Sequence, residues 1–182
     1  SDKLMRSIDK KPKILIICGD PGGAVAVSPV LKRIQQEGLV LIYAVAYNEA
    51  AVIWKEIGID HHRIPNTYSK MEIKSLLIGS GADLLFAGTS VNTFDLEKQF
   101  ISISADLGIP SLSLLDFWTN YSWRFSDEDG NLIYQPNKIA IMDKFAYDEM
   151  VQEGFDPDKL VITGQPVFDD LATWRQTFTA QR

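Results

Sequence analysis

The amino-acid sequence predicts a three-layer α/β domain, a doubly wound, Rossmann-like, mostly parallel sheet of six or seven strands. Three observations predict it. Short unbroken apolar runs, such as Ile14 to Cys18 and Leu39 to Val45, suit strands buried on both faces. Between such runs lie stretches with apolar residues at helical spacing. Glycines close most of those stretches, at Gly38, Gly58, Gly81, Gly108 and Gly154. Strands alternating with helices of this length make βαβ units joined by right-handed crossovers.

The first unit sets the pattern. Ile14 to Cys18 reads as a buried strand, and Gly19, Asp20, Pro21, Gly22 and Gly23 then break the chain. In the next helix Val27, Val30, Leu31 and Ile34 fall at i, i+3, i+4 and i+7, with Lys32, Arg33 and Gln36 off that face. Ser28 is expected as its N-cap with Pro29 in the first helical position, and a start near Gly23 is the alternative. Leu39 to Val45 is the second strand. Asn48 is expected to cap a helix from Glu49 to Ile57, and Ile59 to Ile64 forms a shorter third strand. A helix over Ser69 to Ile78 leads to a fourth strand, Asp83 to Ala87. Phe94 to Leu107 is the following helix and Ile109 to Leu115 the fifth strand. Phe125 to Tyr134 reads as an excursion with a hairpin turn at Asp129–Gly130. Lys138 to Met142 is the sixth strand, Asp143 caps a helix to Gln152, and Leu160 to Thr163 is a short seventh strand. Phe168 to Phe178 reads as a final helix whose apolar residues spread over more than one face.

The 182 residues suit one domain with a full core, taken as 13–182 after a flexible extension over 1–12. A hydrophobic fraction of 46% and a charged fraction of 23% place the chain in the globular class and exclude a disordered one. The net charge of −6 argues against a nucleic-acid partner or an acidic membrane surface. No apolar run approaches a transmembrane segment, and the polar, basic first residues lack the apolar stretch of a secretory signal. A single cysteine, Cys18, permits no intrachain disulfide, so a reducing, cytoplasmic setting is expected. His61 and His62 have no carboxylate or cysteine at ligand spacing, and no metal site is expected.

In doubly wound sheets, ligands bind beyond the carboxyl ends of the strands. That rule selects the loops at 19–23, 88–93, 116–124, 143–144 and 164–166. Gly22 and Gly23 leave backbone N–H groups at a helix N-terminus, where an anion or a sugar hydroxyl fits. The alternative is a tight turn that needs glycine for steric reasons alone. Ser90, with Thr89 and Asn92, offers hydroxyl and amide groups that either meet a ligand or cap the next helix. Asp116, Trp118, Asn120, Tyr121 and Arg124 form the richest cluster: rings stack on apolar sugar faces while polar groups take hydroxyls. The alternative there is structural, with Trp118 and Tyr121 packed over the sheet end and Arg124 paired to Asp116. Asp127, Glu128 and Asp129 read as a solvated turn. GDPGG is neither G-x-G-x-x-G nor a P-loop, and Tyr43 to Tyr47 supplies no acid at the end of strand two. Tight nicotinamide binding is therefore not expected, and no cofactor is called for. No G-x-S-x-G or Ser-His-Asp order stands out.

These residues also carry a resemblance. GDPGGAVAVSPVLKRI resembles the opening strand-loop-helix of UDP-N-acetylglucosamine 2-epimerase, a member of the two-domain GT-B superfamily with the nucleotide-sugar glycosyltransferases. GADLLFAGTS resembles its later strand and hydroxyl-bearing turn, and VITGQPVFDDL resembles the segment that passes from its first domain to its second. Leu115 to Phe125 is similar to a segment of glycosyltransferase-like proteins, L-D-x-W-x-N-Y-x-x-R-F. The resemblance runs from about Lys13 to Leu171. It implies the N-terminal, acceptor-side half of a GT-B protein that acts on a sugar acceptor or nucleotide-sugar ligand, with a C-terminal second domain or a homodimer to complete it. Pro21, Gly23 and Ala26 stand where the epimerase loop carries Arg, Glu and Lys, and Ala24 where a glycosyltransferase loop has His. The catalytic residues are thus unknown, and no epimerase activity is expected. A stand-alone, non-catalytic module for a sugar, a small anion or a protein partner is the other reading.

Overall fold

A computed structural model describes residues 10–91 and 96–169. Its strands are β1 (Lys13–Cys18), β2 (Leu41–Ala46), β3 (His62–Arg63), β4 (Leu84–Ala87), β5 (Ser111–Leu114), β6 (Lys138–Ile141) and β7 (Leu160–Ile162). They form one seven-stranded sheet in the order β3-β2-β1-β4-β5-β6-β7, with every pair parallel. The helices are α1 (Pro21–Glu37), α2 (Asn48–Glu56), α3 (Lys70–Ser80), α4 (Leu96–Asp106), the short α5 (Tyr121–Phe125) and α6 (Lys144–Gln152).

The unbroken run of β1 is apolar because both of its faces are covered. Side chains alternate across a strand, so Ile16 and Cys18 enter one core with Ala24, Val27, Leu31 and Trp54 from α1 and α2. Leu15 and Ile17 enter the opposite core with Ile73, Leu77, Leu96 and Phe100 from α3 and α4. A third cluster packs Leu115, Tyr121 and Phe125 against Ile139, Ile141 and Met150 near the far edge. The strand order reverses at β1, whose neighbours are β2 and β4, which makes the carboxyl end of β1 the switch point where a doubly wound sheet opens a crevice.

Three expectations need correction. Helix α1 starts at Pro21, with Asp20 as N-cap accepting the Gly23 N–H at 3.0 Å, so the glycine segment is the first turn of the helix and Ser28 is not its cap. Pro29 therefore lies inside the helix. The Val25 carbonyl that its missing N–H leaves free is taken by the Ser28 hydroxyl at 3.0 Å. At α2 the N-cap is Tyr47, and Asn48 is the first residue of the helix, left-handed at φ 48°, whose Oδ1 accepts from Asn66 Nδ2 at 2.9 Å. Over 126–134 no strand flanks the turn at Gly130. The loop is held by the Asp127 carboxylate, which accepts from the Asp129 and Asn131 backbone N–H groups and from Asn131 Nδ2. Helix α6 begins at the expected cap, with Asp143 accepting from Ala146 N at 2.9 Å. The extension over 1–12 and the final helix over Phe168 to Phe178 fall largely outside the described residues. No helix among the described residues is long and apolar enough to cross a membrane.

Candidate functional site

At the switch point the loops after β1, β4 and β5 meet in one polar network. Asp20 caps α1 and also takes the Val91 N–H on Oδ2 at 3.3 Å. Its own backbone N–H donates to Ser90 Oγ at 3.1 Å, and Ser90 Oγ in turn donates to Glu97 Oε1. Tyr47 OH donates to Glu97 Oε2. Glu97, at the start of α4, is a carboxyl group enclosed in protein, 4% exposed. Burial pushes it up to about 7, against the lowering effect of its Ser90 and Tyr47 hydrogen bonds. The same burial, with Glu97 next, raises the Cys18 thiol well above its usual range.

Asp116 stands after β5, half-buried. Its Oδ1 accepts from Arg124 Nη1 at 2.8 Å and lies 3.2 Å from Thr89 Oγ1. Arg124 is itself buried; it also donates to the Thr89 carbonyl and, through Nε, to the Thr119 carbonyl at 3.1 Å. Burial raises the Asp116 carboxyl, and the Arg124 guanidinium opposes that rise. Asp116 Oδ2 lies against Gly22. A groove of about 370 Å³ opens there, lined by Pro21, Gly22, Val25, Asp116, Phe117 and Gln165 among others. Gln165 Nε2 donates to the Asp116 carbonyl at 2.8 Å, while its buried Oε1 has no donor among the described residues.

The seven candidate residues are thus placed at different depths. Gly22 and Asp116 line the groove. Gly23, Ser90 and Arg124 lie beneath it with their polar groups engaged in the protein: the Gly23 N–H by Asp20, the Ser90 hydroxyl by Glu97, and Arg124 by Asp116 and two carbonyls. Trp118 is turned toward α6, with Nε1 donating to Asp143 at 2.9 Å and its ring stacked on Phe168. Asn120 is the exposed, left-handed N-cap of α5 at φ 56° and makes no side-chain capping bond. Thr89 Oγ1 reaches the Leu114 carbonyl at 3.1 Å and Ser90 reaches Glu97. Tyr121 is buried and its hydroxyl donates to Glu149 at 2.6 Å. His62 stacks on Tyr43 with ring centroids 4.4 Å apart, and His61 Nδ1 lies 2.8 Å from the Ile59 carbonyl.

Asp20, Tyr47, Glu97 and Gln165 complete the network and were not singled out from the sequence. For Asp20 the Asp-Pro pair was a signal, since it places a cap directly before a proline at the first helical position. For Glu97 the signal was a carboxylate sharing a helical stripe with Ile101 and Ser104, all three buried.

No family model matches the sequence, and neither does any curated protein. Solved structures do match. UDP-GlcNAc 2-epimerase from Neisseria meningitidis, bound to UDP-GlcNAc, superposes with a TM-score of 0.63 at 15% identity, over 92% of this chain and 50% of that one. MurG of Acinetobacter baumannii gives 0.59 at 14%, over 85% and 45%. Alr3699/HepE of Anabaena, in complex with UDP-glucose, gives 0.58 at 14%, over 92% and 50%. This chain shares the fold of about half of each of these proteins. The chain spans about half the length of the GT-B proteins it matches. At these identities the likeness concerns the fold alone, and the groove between Gly22 and Asp116 lies where the sheet changes strand order.

Proposed function

We propose that the chain is the acceptor-side domain of a GT-B-type protein acting on nucleotide sugars, and that it does not turn substrate over alone. The observation that carries this reading is coverage: most of this chain matches about half of proteins crystallised with UDP-GlcNAc or UDP-glucose. The groove agrees with it. Asp116 Oδ2 faces the opening beside a helix N-terminus whose first turn, at Gly22, presents only backbone. A carboxylate there can accept a hydrogen bond from a sugar hydroxyl and hold it for transfer. Transfer also requires stabilisation of a leaving diphosphate. Among the described residues, the buried cation of this network is Arg124, already paired to Asp116. Phe117, 57% exposed on the groove wall, supplies apolar surface suited to a neighbouring domain.

The gene's continuous reading frame provides the test. A second domain of similar size after Arg182, with its own Gly-rich turn and an acidic residue for a ribose, is expected. A stop codon at that point would favour the stand-alone binding module, with a homodimer or protein partner covering Phe117.

A further inference from the structure

A second cavity, of about 380 Å³, lies between α4 and the 126–134 loop and shares no lining residue with the Gly22–Asp116 groove. Its volume sits at the small end of ligand pockets, which run from roughly 300 to 1,000 Å³. Lys98 lines it and is 8% exposed, with its ammonium 5.9 Å from the ring centroids of both Trp123 and Tyr134. Trp123 also lines it and is 60% exposed. Asp127, Glu128 and Asp129, three consecutive acidic residues, line it as well. The Asp127 carboxylate is pinned by Asn131 and held below its ordinary range by those hydrogen bonds, so it stays ionised and fixes the loop.

The chemistry narrows the occupant. Three carboxylates repel a phosphate or a diphosphate. The Lys98 ammonium already faces both rings, which removes the place where a ligand cation would sit. What remains suited is an uncharged ring with one apolar face and many hydroxyls. Its apolar face stacks on Trp123, its hydroxyls donate to the carboxylates of Glu128 and Asp129, and its oxygens accept from Lys98. Chain order ties this cavity to the switch-point network: Lys98 follows Glu97 and Trp123 precedes Arg124, so each pair sends one residue into the network and the other to the cavity. We propose that this cavity binds an uncharged pyranose. The binding claim stands without the transfer reading; if both hold, the acceptor is a neutral sugar.

The probes are methyl β-D-glucopyranoside, the methyl glycoside of N-acetylglucosamine, and glucose 6-phosphate, titrated into the 182-residue chain by calorimetry and saturation-transfer NMR. At least one uncharged glycoside should bind with a dissociation constant on the order of millimolar, as expected for a ligand that uses one stacked ring and a few hydrogen bonds. Trp123→Ala should weaken it by about fivefold or more, since the stacked ring is lost. Glu128→Gln should weaken it less, and Phe145→Ala, which removes an exposed ring outside the cavity, should leave it unchanged. Glucose 6-phosphate should bind at least about tenfold more weakly at low salt, and the gap should narrow as salt screens the carboxylates. Thermal melts establish that each variant is folded. The proposal is overturned if neither uncharged glycoside binds, if Trp123→Ala leaves binding intact, or if glucose 6-phosphate binds as tightly as the glycosides. None of those results touches the transfer reading, which is tested with nucleotide-sugar donors.

Discussion

A Cβ on Gly22 would lie 2.2 Å from Asp116 Oδ2, so the carboxylate fills the place a side chain would need in the first turn of α1. Two effects oppose each other in Gly22→Ala. Helix propensity favours Ala by about 1 kcal/mol. The collision favours Gly, because Asp116 is held on Oδ1 by Arg124 at 2.8 Å and cannot turn away without losing that bond. The collision should win, with Gly22→Ala less stable than the parent in urea melts. Gly22→Ala added to Asp116→Ala should instead be neutral or stabilising. Additivity of the two substitutions would show that the residues do not meet in solution.

Arg124 and Asp116 form a buried ion pair, with side-chain exposures of 5% and 10%. Removing one partner of such a pair leaves the other charge buried and costs roughly 3–5 kcal/mol. Arg124→Ala should therefore destabilise by that amount, and more than Asp116→Ala, after which Arg124 keeps the Thr89 and Thr119 carbonyls. Chemical denaturation of both variants checks the order, and equal losses would mean that Arg124 does not hold the loop as described.

Glu97 gives stability a pH dependence of definite sign. Its folded value, about 7, lies above its ordinary 4.5, so the folded state holds the proton more tightly. The stability it contributes is fully present below pH 4.5, falls as pH rises through the window to 7, and is gone above it. The loss is at most about 3 kcal/mol, from 1.36 kcal/mol per pH unit of separation. Glu97→Gln should flatten that slope and make the protein more stable than the parent at pH 8. A parent whose urea midpoint is level between pH 5 and 8 would contradict a buried Glu97.

Gly19 is fixed by packing: a Cβ there would come within 2.1 Å of the Tyr47 ring, which is fully buried. Overpacking of this kind costs typically 1–3 kcal/mol. Gly19→Ala should lose that much in a urea melt, and Tyr47→Phe should not relieve it, because the nearest atom, at 2.1 Å, is a ring carbon that phenylalanine keeps. It should also shift Glu97 by removing one of its donors, visible as a changed pH slope.

Much of the fold was legible because its cause is local. Ile14 to Cys18 is apolar at every position since Leu15 and Ile17 face one core while Ile16 and Cys18 face the other. Asp143 and Ser69 cap through their own side chains, within three residues of their partners. The sequence leaves the start of α1 open between Ser28 and the Gly23 region, because both Pro21 and Pro29 suit a first helical position. Tertiary packing decides between them, with Gly23 beside Gly88 and Trp54 Nε1 bonded to the Ala24 carbonyl at 3.1 Å. The site was less legible. Nothing local links Asp20 to Ser90, seventy residues away, or Lys98 to Trp123 and Tyr134. Those meetings are made by strand order at the sheet's carboxyl edge.

Whether this chain is half of a transferase rests most directly on one assay. The purified 182-residue chain is incubated with UDP-, GDP-, CDP- and dTDP-sugars, and hydrolysis and transfer are followed, beside the protein expressed from the complete reading frame. No turnover by the 182-residue chain, with turnover by the longer protein that falls on Asp116→Ala, is the expected result. Robust turnover by the 182-residue chain alone, lost on Asp116→Ala, would show that the groove between Gly22 and Asp116 belongs to a whole enzyme.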